Sequence, residues 1–382
     1  MPRLRARVLT ALLVGVLLVT GLPSAGGALD RRTVGGRVDL GGCTGNRVYE
    51  VCFTDPVRTP GSALIINRIR AFAKRAGRGD TIRVAVFNWV ERPLAKDLVA
   101  ARQRGANVRV VLDDKSRGEP AHRVMRRGGV TVDICVNSCL APGGHIMHNK
   151  FFLFELNGVR TVIQSSANIS YGQRQRFQNS LRVTGDQRLW NTYYGYFKRL
   201  RAARWLGWSE AERDRPGSGD VKAYLYPRSD DNLLEILANV EACRTTDAKV
   251  WLTQSQFEVG RDALRRRLNE LRRDSGCSVR LIVQKAEAER YVQRRARGAN
   301  LPDGTVRRAG VHDKIIVVDA RYNGRWRELV FTGSHNLVRS SVVGNDEVLL
   351  KVWSPLVFEA HLRRFRGLFE RSCDGARITA YC

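Results

Sequence analysis

Two short stretches of this 382-residue chain carry side chains suited to handling a phosphate. His148 and Lys150 stand two apart in IMHNKFFLFE (146–155), and His312 and Lys314 do the same in GVHDKIIVVD (310–319). In a β-strand residues i and i+2 share a face, so each His projects beside its Lys. Downstream, VIQSSANIS holds Ser166 and Asn168, and VFTGSHNLV holds Ser334 and Asn336. With an ordinary pKa of ~6.5, one histidine can act neutral and the other protonated near neutral pH. Lys150 and Lys314 offer point charges to phosphoryl oxygens, Asn168 and Asn336 amide hydrogens, and Ser166 and Ser334 hydroxyl hydrogens. A nucleophile, a proton donor and fixed positive charge are what breaking a phosphodiester without a metal requires.

These residues resemble the HKD signature of the phospholipase D superfamily, H-x-K-x4-D followed by G-S-x-N. The second copy fits at His312, Lys314, Asp319, Gly333, Ser334 and Asn336; the first departs with Glu155 for Asp and Ser165 for Gly. His148 to Asn168 spans 20 residues and His312 to Asn336 spans 24. The resemblance implies two half-sites meeting at a pseudo-two-fold interface, with His148, Lys150, Glu155, His312, Lys314 and Asp319 as the catalytic set. One His would attack phosphorus to give a phosphohistidine, and the other would protonate the leaving alcohol and then activate the incoming water or alcohol. No metal and no other cofactor is implied. Glu155 and Asp319 are expected to brace neighbouring backbone or the other half rather than to move protons.

The resemblance also implies an acid beyond G-S-x-N that orients a His through Nδ1. GNDEVLLKVW supplies Glu347 or Asp346, whereas FQNSLRV sets Ser180 at the position of Glu347. A carboxylate steadies an imidazole ring and favours a developing imidazolium. His312 is therefore expected as the nucleophile and His148 as the acid. Of the other histidines, His145 reads as a loop residue, His335 as the variable position of G-S-H-N facing the pocket, and His122 and His361 as surface. Asp113 and Asp114 are adjacent on a strand and point to opposite faces, which disfavours a metal site.

The surrounding pattern is that of alternating strands and helices. Apolar residues at helical spacing over 63–76 precede a strand at 81–90, a helix at 94–104 closed by Gly105, the strand VRVVLDD, a helix around 120–127 and the strand VTVDICV. The second half repeats this order: helix 232–242, strand 249–257, helix 261–273, strand 278–284, helix 286–297. Alternation of this kind means parallel strands in an α/β domain. The expectation is a bilobed monomer of tandem duplicated halves, each a mostly parallel mixed sheet flanked by helices. Its segments are a signal peptide at 1–28, an extended segment at 29–60, a first half at 61–212, a linker at 213–220 and a second half at 221–382.

The signal peptide is read from Arg3, Arg5 and Arg7, an apolar run at 8–19, and a small-residue cleavage point at Ala25 or Ala28, with a retained anchor as the alternative. Export makes eight cysteines a disulfide set, most simply Cys43 with Cys52, Cys135 with Cys139, Cys243 with Cys277 and Cys373 with Cys382. With 65 Lys and Arg against 37 Asp and Glu, a net charge of +28 attracts polyanions. The expected substrate is a phospholipid at a membrane surface; the alternatives are nucleic acid cut on the same scaffold and a non-catalytic phosphate binder. No protein partner is implied. The aromatic run at 188–209, from Trp190 to Trp208, reads first as helix packing and second as an apolar rim or stacking platform.

Overall fold

Asn-Gly pairs set the turns at the heart of both halves. Asn157-Gly158 and Asn323-Gly324 take positive φ (48° and 77°, 47° and 75°), the conformation of a two-residue hairpin whose twist matches its strands. Each pair therefore folds a lysine-bearing strand back on its successor as an antiparallel hairpin. The computed structural model describes residues 40–60, 62–204, 220–243, 248–293, 301 and 304–373. The proposed signal peptide lies outside the described residues, as do residues 29–39 of the entry segment, 213–219 of the linker, Trp205, Trp208, Cys382 and the end of the helix expected at 286–297.

The first sheet is built from β1 (Gly42–Gly45), β2 (Tyr49–Phe53), β3 (Thr81–Val86), β4 (Asn107–Asp113), β5 (Thr131–Cys135), β6 (Lys150–Leu156), β7 (Val159–Ser165) and β8 (Asn179–Thr184), in the order β1-β2-β8-β7-β6-β3-β4-β5. The second comprises β9 (Val221–Leu225), β10 (Val240–Ala242), β11 (Lys249–Gln254), β12 (Ser278–Val283), β13 (Val306–Arg308), β14 (Lys314–Tyr322), β15 (Arg325–Gly333) and β16 (Val348–Val352). Its order is β13-β12-β11-β14-β15-β16-β9, with β10 paired to β14. Setting β1 and β10 aside, the two orders are the same, with β9 in the place of β2. The duplication thus extends to the topology of two mixed, helix-flanked sheets. One expectation is corrected: only β3-β4-β5 and β11-β12-β13 run parallel, and the remaining pairs are antiparallel. The parallel pairs are those joined by helices Arg92–Gln103, Pro120–Arg127, Asp262–Arg273 and Ala286–Gln293. Tight hairpins set the opposite sense for β1-β2, β6-β7 and β14-β15.

The central strands are buried on both faces, in strict alternation. Phe151 and Leu153 of β6 join Ile315 and Val317 of β14 in a core shared by the two halves. Phe152 and Phe154 face the outer core of the first half, and Ile316 and Val318 that of the second. Two helices complete the shared core: Gln187–Ala202 packs on β7 and on β9 of the other sheet, and Pro355–Arg371 on β15 and on β2. Trp190, Tyr193, Tyr196 and Phe197 are buried there, so the described aromatics of that run serve packing rather than a rim. His122 and His361 are likewise buried, not on the surface: His122 Nδ1 accepts from Gly118 N, and His361 lies beside the Val357 carbonyl and edge-on to Phe53. Disulfides join Cys43 to Cys52, Cys135 to Cys139 and Cys243 to Cys277. Among the described residues no helix is long and apolar enough to cross a membrane.

Candidate active site

Pairing fixes where each motif sits. Lys150 opens β6 opposite Val86, the last residue of β3, and Lys314 opens β14 opposite Gln254, the last of β11. Each half-site thus lies beyond the carboxyl ends of its parallel strands, where ligands of open α/β sheets bind. The two half-sites are then tied together through crossed main-chain bonds. His148 N donates to Asp346 O and His312 N donates to Phe177 O, so each histidine is anchored by the opposite half. The imidazoles and both lysines act on one another electrostatically across one shared site.

The ring contacts are crossed as well. Glu347, from the second half, meets Nδ1 of His148 at 2.8 Å and is wholly buried. Nδ1 of His312 lies 3.0 Å from both the Ser166 carbonyl and Gln178 Oε1 of the first half. Lys314 Nζ also lies 3.1 Å from Nδ1 of His312. On His148 the Glu347 carboxylate holds the Nδ1 hydrogen, which leaves Nε2 with its lone pair. The expectation that Glu347 orients His312 is corrected here. So is the pairing of Ser180 with Glu347: Ser165 pairs Ser180 as Gly333 pairs Leu349, which makes Gln178 the counterpart of Glu347. A slip of two residues keeps a side chain on its face, so alternation alone could not reveal it. Asp346 serves the loop closed by Cys135 and Cys139 instead, accepting from Ser138 Oγ at 2.8 Å and Cys139 N at 2.6 Å.

Lys150 and Lys314 are both fully buried, and neither makes a salt bridge among the described residues. Burial lowers Lys150 to about 7, against the pull of Glu347 and Asp113. Lys314 is held well below the usual ammonium range by burial and then by Lys150. Both imidazoles are pushed well below their ordinary value, first by burial and then by these lysines, which favours their neutral form. Burial raises the Glu347 carboxyl, an effect opposed by His335 and Lys150. Two buried lysines whose protons are loosened by desolvation, with only one carboxylate on the rings, are the groups that a bound anion would return to the charged form.

The hydroxyls do less for a ligand than expected. Ser166 Oγ donates to Gln178 Oε1, and Ser334 Oγ accepts from Val348 N, so both hold the strand carrying the ring partner. Asn168 Oδ1 is buried and unpartnered, while Asn336 is held by Ser255 and Gln256. Glu155 and Asp319 are not brought to the site. Each lies five residues along its strand from the lysine, roughly 16 Å away, paired with Arg160 at 2.9 Å and Lys249 at 3.5 Å respectively. His335 does not face open space: it is buried against Tyr226 at 4.3 Å and pushed down to about 4 by burial. His145 lies against Gly344, where any side chain would collide with its ring.

Sequence reasoning missed Gln178, as well as Phe87, whose ring packs 5.0 Å from that of His148 and lies under Lys150. It also missed Asp313, the middle residue of H-x-K, which is buried on Arg364. The Lys150 value has a measurable consequence. A phosphonate monoester, whose charge is constant near neutrality, should bind best below pH 7, where Lys150 is cationic. Its affinity should then fall by up to tenfold per pH unit as the proton is lost. Titration calorimetry between pH 6 and 9 reads this directly, and a flat profile would remove Lys150 from the anion site.

A family model described as cardiolipin synthase, PLD-like domain, matches residues 69–201 and 240–369. No curated protein matches the chain by sequence. Among solved structures it is similar to the polyphosphate kinase from Porphyromonas gingivalis, at 17% identity and a TM-score of 0.57, covering 85% of this chain and 50% of the kinase. The chain thus spans half that protein's length. It is also similar to the phosphatidylserine synthase of Haemophilus influenzae Rd KW20, at 13% identity and a TM-score of 0.56, covering 85% and 87%. The phospholipase D family member Nuc from Salmonella typhimurium matches over 39% of this chain and 91% of its own, at 20% identity and a TM-score of 0.31. At such identities the first two likenesses speak for the fold alone. The family match is broader: its two regions take in both His/Lys pairs and both S-x-N segments, and on that ground the chain belongs to the phospholipase D superfamily, as two PLD-like domains in tandem.

Proposed function

We propose that this protein is a secreted phosphodiesterase of phospholipase D type, which cuts a phospholipid between phosphate and head-group alcohol to give phosphatidic acid. The observation that carries this reading is the crossed anchoring of the two histidines, each of which stands with a buried lysine and is held through Nδ1 by residues of the opposite half. His148 is the nucleophile in this mechanism, because Glu347 on its Nδ1 stabilises the imidazolium that forms as Nε2 bonds to phosphorus. The P–O bond to the head group breaks, and its oxygen takes a proton from His312. A bound phosphate offsets the two lysine charges and so restores the proton affinity of His312. His312 then removes a proton from water, whose oxygen attacks phosphorus and releases His148.

Exposed apolar residues support a lipid surface. Val136 follows β5, Tyr171 follows β7 and Val259 follows β11, all at the strand ends that carry the site. The three disulfides suit an oxidising, extracellular compartment. The net charge of +28 favours a second reading, a nuclease that tracks a phosphate backbone with the same chemistry. Phosphatidylcholine vesicles and plasmid DNA, each offered with chelator present, separate them. Release of choline is the expected result; nicked DNA without choline would favour the nuclease, and neither product would leave a binding protein. Activity lost on chelation and regained with metal would overturn the metal-free mechanism.

A further inference from the structure

The two half-sites are not equally open. In the first, Phe87 stands over His148, and Arg174 is bonded through two nitrogens to the buried carboxylate of Glu91, leaving beside Asn168 a space of only ≈ 20 Å³. Strand register places Ser255 where Phe87 stands, because Val86 pairs Lys150 as Gln254 pairs Lys314. The matched bridges Trp89–Ile169 and Phe257–Leu337 set Val259 where Glu91 stands. The second half therefore has neither the covering ring nor the closing ion pair. In their place lies a cavity of ≈ 230 Å³ walled by Phe257, Ala288 and Tyr291, with the charged Glu258, Lys285 and Glu287 also on its lining and Val259, 76% exposed, at its lip. Its inner wall is Ser255 and Gln256, the two residues that hold Asn336.

We infer that this cavity is the leaving-alcohol subsite, and that it takes an alcohol with a compact apolar body. The inference rests on His148 being the nucleophile. Displacement at phosphorus is in line, so the departing oxygen lies away from His148 and beside His312, on the half where the cavity opens. At ≈ 230 Å³ the cavity is smaller than the ~300–1,000 Å³ of ordinary ligand pockets, so it takes a small group. It suits an alkyl, aryl or trimethylammonium group better than a chain of further phosphates. In the first step the P–O bond breaks, His312 gives its proton to that oxygen, and the neutral alcohol rests in the cavity. The second step reverses this: an entering alcohol gives its proton to His312, its oxygen bonds to phosphorus, and the N–P bond to His148 breaks. The cavity that favours a leaving alcohol must equally favour an entering one.

Partitioning of the phosphohistidine between added alcohols tests this without depending on which diester loads the enzyme. Phosphatidylcholine is used if it is turned over, and bis-p-nitrophenyl phosphate if it is not. Benzyl alcohol should capture the phosphoryl group about tenfold or more better than methanol at equal concentration. Val259→Trp, at the exposed lip, and Ala288→Phe, within the wall, should bring that ratio near one. If Ala288→Phe fails to fold, Val259→Trp still decides. Equal capture by the wild type, or a ratio that survives Val259→Trp, overturns the subsite. A tenfold preference seen only with the synthetic diester upholds the subsite and sinks the phospholipid reading, so the two fail separately.

Discussion

His148→Ala will turn over no phosphodiester and carry no acid-labile phosphate, whereas His312→Ala will accumulate phosphate on the peptide containing His148. The asymmetry follows from the ring partners. Glu347 is a buried carboxylate 2.8 Å from His148 Nδ1, while His312 has only the Ser166 carbonyl and the Gln178 amide oxygen. Loss of His312 removes the acid of the first step and the base of the second, each worth about 10²–10⁴-fold. A p-nitrophenyl diester needs no proton on its leaving oxygen, so in His312→Ala the first step survives and the second stalls. The intermediate should then be trapped by alkaline quench and located by peptide mapping. Label on the peptide of His312 would reverse the assignment. Glu347→Gln should behave as a weaker form of His148→Ala, because an amide can orient the ring without neutralising its charge.

Arg364→Met should lower unfolding free energy by about 3–5 kcal/mol, the cost of leaving one partner of a buried ion pair alone. Arg364 and Asp313 are 3% and 0% exposed, and Nη2 lies 3.2 Å from Oδ2. The same guanidinium donates to the Leu40 and Thr54 carbonyls and lies over the rings of Phe53 and Phe177. It therefore joins the closing helix, the entry strand region and the second H-x-K motif. Without it Asp313, whose carboxyl burial already raises, would be driven to bind a proton. The counterpart in the first half is neutral, Asn149 donating to Tyr196 Oη at 3.2 Å. Asp313→Asn combined with Arg364→Met should thus cost less than the two changes summed. Urea unfolding of the four proteins gives the coupling; strict additivity would mean the pair does not act as a unit.

Some of this protein is settled within single stretches of chain. Two-residue spacing on a strand puts His148 beside Lys150 and His312 beside Lys314 wherever those strands lie, and short loops bring Cys43 to Cys52 and Cys135 to Cys139. The antiparallel hairpins are written locally too, in Asn157-Gly158 and Asn323-Gly324, whereas helix and strand alternation marks only the parallel pairs. Glu155 and Asp319 belong to the motif's pattern yet sit at the wrong end of their strands to share its cavity.

Only the tertiary structure decided which residue faces which across the two halves. Glu347 is 199 residues from His148, Gln178 is 134 from His312, and Arg364 is 51 from Asp313. Periodicity encodes the face a side chain takes but not what is packed against that face, and a two-residue slip in register leaves the periodicity unchanged. The chain's repeated motifs therefore determined that two equivalent half-sites exist. Their packing about the shared core gave His148 the carboxylate, left His312 with amide and carbonyl oxygens, closed one flank with Arg174 and Glu91, and opened the other at Val259.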